Sequence, residues 1–111
     1  MPLNPCKIPK AITLNGVRWK VLQLPPEELK KRYEGEGHKL DTGEELYGRA
    51  NVRLCEIWLD SSLGPLPLWR TFCHEVIHAV QDSSGQQIDE VIARAYEMAV
   101  SWLLNRGNWE Y

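Results

Sequence analysis

Long apolar runs are missing from this chain. None approaches the roughly 20 residues that cross a bilayer, and the opening stretch from Met1 to Lys10 lacks the apolar core of a signal peptide. A cytoplasmic protein with no membrane partner is therefore expected. Cysteine is also scarce. Cys6, Cys55 and Cys73 are odd in number and widely separated, with no Cys-x-x-Cys pair, which excludes a disulfide-stapled scaffold and a thiolate metal site or redox couple. Three reduced thiols are expected. An excess of positive charge is lacking as well: 13 Lys and Arg stand against 15 Asp and Glu, for a net charge of -2. Such a balance provides no general attraction for nucleic acid or anionic lipid, so no nucleic-acid partner is expected. The one basic cluster, Lys30-Lys31-Arg32, reads as a solvated helix face.

What is present suits an ordinary packed domain. A hydrophobic fraction of 43%, including five Trp and four Tyr, is ample for an interior, and 111 residues leave no room for a second core. A single domain over residues 1–111 is expected.

Turn and breaker residues divide the chain. Asn15-Gly16 lies between two strand-like runs in Ala11 to Leu22, and this dipeptide favours the positive φ of a tight hairpin turn. Pro25-Pro26-Glu27-Glu28 then opens a short helix to about Tyr33, where proline and acids suit a first turn. Glu34 to Glu45, with three glycines, reads as a loop. A second strand pair follows, with Leu46 to Ala50 leading into Cys55 to Asp60, where Cys55, Ile57 and Leu59 alternate onto one face. After a break at 61–67, Trp69, Phe72, Val76, Ile77 and Val80 form the apolar stripe of a helix over about 67–82. A second amphipathic helix is expected over about 88–105, with Val91, Ala95, Met98 and Trp102 inward and Gly107 past its end.

The chemistry concentrates on the 67–82 helix. His74 and His78, four residues apart, project within about 40° of each other and one turn apart along the axis, so two imidazoles can grip one ion. Glu75 lies about 60° beyond His78, placed to face a water activated by that ion without entering its coordination shell. Cys73 adjoins His74 but points about 100° away and reads as a buried filler. His38, the third histidine, reads as a solvent-exposed loop residue. Catalytic zinc takes three protein ligands, and the third must come from elsewhere. Asp89-Glu90 open the next helix, and an antiparallel return would bring either acid to the histidine pair.

These residues, His74-Glu75-x-x-His78 followed by Glu90-Val-Ile-Ala93-Arg-Ala-Tyr96, resemble the gluzincin metallopeptidases, above all the very small minigluzincins and their relatives in phages and mobile elements. The resemblance implies a Glu ligand on the second helix, with a small residue three positions on and an aromatic or large apolar residue six positions on; Glu90, Ala93 and Tyr96 match. It extends upstream, where Tyr47-Gly48 leading to Ile57-Trp58-Leu59-Asp60 is similar to the family's edge strand above the cleft. Arg94 departs from some larger gluzincins, which carry an Asp there that orients a histidine.

The resemblance implies an α+β, zincin-like domain, with a short antiparallel sheet packed on the HExxH helix and a following glutamate helix. It implies a zinc metallopeptidase holding one Zn2+ per chain on His74, His78 and Glu90, with Glu75 as general base and a peptide or protein as substrate. Asp89 remains open as the third ligand, and Tyr47, Arg94, Tyr96 and Tyr111 remain open as stabilisers of the oxyanion. The exposed edge of Cys55 to Asp60 is expected to pair with an extended peptide. The alternative is a non-catalytic module stapled by zinc, used for binding or regulation. The aromatic tail 107–111 is a candidate for folding back over the cleft.

Overall fold

The computed structural model describes residues 8–14, 16–38 and 46–83. The expected second helix, Asp89, Glu90 and the tail 107–111 lie outside the described residues.

The chain opens with β1 (Ala11–Leu14) and β2 (Val17–Leu24), an antiparallel hairpin closed by the Leu14 and Val17 pair. Gly16 takes a φ of 79°, the positive value such a two-residue turn requires. Helix α1 (Pro26–Gly35) follows. Glu27 and Glu28 occupy its first turn, where acids oppose the positive end of the helix dipole, and Arg32 reaches back four residues to Glu28 at 3.1 Å. The helix passes the expected end at Tyr33 by two residues and stops at the positive φ of Gly37, whose N–H donates to the Glu34 carbonyl.

β3 (Gly48–Asn51) and β4 (Glu56–Asp60) form the second strand pair, and α2 (Pro65–Ser83) completes the described chain. The start of α2 precedes the sequence expectation by two residues. Pro65 and Pro67 both fit in its first turn because N–H groups there need no intrahelical acceptor, and the first helical bond runs from Leu68 N–H to Gly64 carbonyl at 2.9 Å.

The fold is α+β, as expected, but the sheet is mixed and not purely antiparallel. Its order is β1-β2-β4-β3, and β2 and β4 run parallel with Val21 opposite Ile57. Parallel neighbours need a long crossover, and the segment between them carries α1 and β3. A second correction follows. Cys55 to Asp60 is no exposed edge: β4 lies between β2 and β3, and β3 is the outer strand among the described residues.

The two helices cover opposite faces. Trp19, Val21, Ala50, Ile57 and Leu59 pack with Trp69, Phe72, Cys73, Val76 and Ala79 of α2 in one core. On the other face Arg32 of α1 lies 5.5 Å over the Trp58 ring and 3.8 Å from Glu56. Trp58 is thus buried like its neighbours Ile57 and Leu59, and β4 reads as a continuous apolar run because it is covered on both sides. Val80, expected in the apolar stripe of α2, is exposed; Cys73 and Ala79 fill the core instead, since Phe72, Val76 and Ala79 repeat at four and three residues.

Candidate metal centre on helix α2

His74 and His78 stand one turn apart, and their rings meet edge to face with centroids 4.5 Å apart. The two Nε2 atoms approach to 2.9 Å. One ring nitrogen then donates and the other accepts, so both rings aim the same nitrogen at one point. His78 is buried and His74 half-buried.

That geometry fits two ligand positions of zinc. At the usual zinc–nitrogen bond length and a tetrahedral angle, two nitrogens stand roughly 3.3 Å apart. Opening the observed 2.9 Å separation to that value needs only a small rotation of either ring. Among the described residues no group of three His, Cys, Asp or Glu side chains converges on one point. The third ligand expected from the sequence, Glu90 or Asp89, lies outside them. Cys73 is fully buried in the core, as expected, and points away from the histidine pair.

Glu75 is a carboxylate at only 8% exposure on the same helical turn. Its placement depends on β3. A Cβ added to Gly48 would meet Thr71 Cγ2 at 2.7 Å, Glu75 Cγ at 3.1 Å and the Trp58 carbonyl at 3.1 Å. Only glycine lets the strand lie this close to α2, so the backbone of β3 crosses directly over the stem of Glu75.

Hydrogen bonding fixes which edge of β3 faces outward. Asp60 N–H donates to Tyr47 carbonyl, whereas Ser61 N–H and Cys55 carbonyl bond to β2. Even-numbered residues of β4 therefore bond β3, and odd-numbered ones bond β2. By the same alternation Arg49 and Asn51 turn their peptide groups toward β4, and Gly48 and Ala50 turn theirs outward.

Comparison with protein-family models, curated proteins and solved structures finds no match. The site is accordingly read from its own chemistry.

Sequence reasoning missed two features. Gly48 was noted only as part of a motif; a glycine inside a strand is a signal of close backbone approach that could have found it. The second is a polar cluster around His38. That residue is exposed, as expected, but it stacks on Tyr33 at 4.7 Å and lies 3.1 Å from an Arg49 nitrogen. No local signal in the sequence links residues of α1 to β3.

Proposed function

We propose that this chain is a zinc-dependent hydrolase, a peptidase, in which His74, His78 and Glu90 hold one zinc ion and Glu75 is the general base. The observation that carries the reading is the convergence of two Nε2 atoms at 2.9 Å on the helical turn that also bears a buried carboxylate. When bound, zinc supplies Lewis acidity toward a water and a substrate carbonyl. The Glu75 carboxylate takes the proton of the attacking water and returns it to the leaving amine nitrogen. Burial of its stem under Gly48 limits its rotamers.

The substrate is an extended peptide. The outward N–H and C=O groups of Gly48 and Ala50 offer it a strand partner, and Gly48 lies directly over Glu75. Docking on β3 replaces the pairing expected on Cys55 to Asp60, whose edges are both taken within the sheet. No helix among the described residues is long and apolar enough to cross a membrane. A cytoplasmic setting agrees with the free thiols of Cys55 and Cys73.

The test is Glu75→Gln in zinc-loaded protein. This change keeps shape and hydrogen-bonding capacity but cannot accept a proton from water. Hydrolysis of unfolded protein substrates is expected to fall at least about a hundredfold while zinc content stays at the parental level. Parental activity in Glu75→Gln overturns the mechanism. Full zinc binding with an inactive parent would turn the assignment to a zinc-stapled binding module.

A further inference from the structure

On the sheet face opposite α2, the C-terminal turn of α1 and the strand β3 enclose a cavity of about 400 Å³ lined by Glu36, His38, Arg49, Asn51 and Arg53. We propose that it is a subsite selecting acidic side chains of a peptide laid along β3. The proposal rests on the reading of β3 as the docking edge and adds a substrate class to it.

The charges of the described lining residues do not cancel. Among them Glu36 is the only acid, and both carboxylate oxygens are engaged: Oε2 accepts from Arg49 Nε at 3.1 Å and Oε1 accepts from Asn51 Nδ2 at 2.9 Å. Because arginine only donates, His38 Nε2 is the acceptor for Arg49 Nη2 at 3.1 Å. Two guanidinium groups thus face one carboxylate. Arg53, exposed in the turn between β3 and β4, makes no ion pair with a described residue.

Arg49 is held for this task. Glu36, His38 and the Tyr33 ring 5.7 Å from its guanidinium carbon fix its plane, so little freedom is lost when a further carboxylate binds. Strand geometry brings the ligand to it. Side chains of adjacent strands stand opposite each other on the same face, with Cβ atoms about 4.5–5.5 Å apart. Residues of a docked peptide opposite Gly48 and Ala50 face α2, and those opposite Arg49 and Asn51 face the cavity. An acidic side chain at the latter positions reaches the guanidinium groups, while a lysine there meets like charge.

The experiment uses the full chain and fluorescently labelled, end-blocked extended peptides carrying Glu, Gln or Lys at alternate positions. Anisotropy is read at low and high salt, beside zinc content and peptide hydrolysis. The Glu peptide is expected to bind about tenfold tighter than the Lys peptide at low salt, the scale of a charge-assisted hydrogen bond. Arg53→Glu should reverse that order and Arg53→Gln should flatten it, with unchanged circular dichroism. Equal binding of the three peptides, absence of peptide binding, or an order indifferent to Arg53→Glu overturns the subsite. Ordered binding without zinc uptake or hydrolysis upholds the subsite and overturns the hydrolase instead.

Discussion

Gly48 and Glu75 are in contact across the interface of β3 and α2, so closely that a single added carbon on Gly48 would stand 3.1 Å from Glu75 Cγ. The contact joins the outer strand to the carboxylate that the proposed reaction needs.

Gly48→Ala is therefore expected to push β3 away from α2. The Thr71 methyl at 2.7 Å and the fixed Trp58 carbonyl at 3.1 Å leave little room to relax. The cost should be about 1–3 kcal/mol, as for other overpacked sites, read from chemical denaturation. Peptide hydrolysis should fall further than stability explains. Parental stability would show that the strand shifts freely and does not position Glu75.

Gly16→Ala supplies a control with a different cause. Nothing lies within 4 Å of the added carbon, and only the φ of 79° resists the side chain. A loss of about 1–2 kcal/mol is expected, with zinc content and the rate per folded molecule unchanged. Loss of zinc in this variant would tie the hairpin to the site, contrary to the placement of His74 and His78 on α2.

Metal content offers a direct check. Protein refolded with zinc and desalted should retain about one equivalent, and chelation should lower Tm because the ion binds only the folded chain. His78→Ala should lose metal, stability and activity together. An unchanged Tm on chelation, with substoichiometric metal, would overturn the site.

The third ligand is separable by substitution. Glu90→Ala should weaken zinc binding by more than about 100-fold, exceeding the roughly 10–100-fold that loss of an outer-shell partner produces. Asp89→Ala should leave affinity near the parental value. The opposite order would transfer the role to Asp89.

Much of this structure was legible because its causes are local. Asn15-Gly16 announced the hairpin, Pro25-Pro26 with two acids announced α1, and the four-residue spacing of His74 and His78 put two imidazoles on one side of α2. Pairing partners were less legible. The alternation at Cys55, Ile57 and Leu59 fits a central strand as well as an edge, and only β2 on one side and β3 on the other decide between them. The cavity cluster joins residues 11 to 15 positions apart, too far for any local pattern to register. Pro67 suits the first turn of the helix expected from about 67, whereas Pro65 reads as part of the preceding break although it suits that turn as well, so breaker residues mark the end of one element less surely than the start of the next.

The parallel pairing of β2 with β4 has a consequence for the order of folding. Gly48, Glu75 and both histidines belong to one contiguous stretch, β3 through α2, whose strand pair is sequence-local. The other edge of β4 must wait for a strand from the beginning of the chain, and closing so wide a loop is slow. The turn that bears His74, Glu75 and His78 can thus meet β3 before the N-terminal hairpin arrives. The hairpin then fills the open side of β4 and packs Trp19 and Val21 into the core beneath α2.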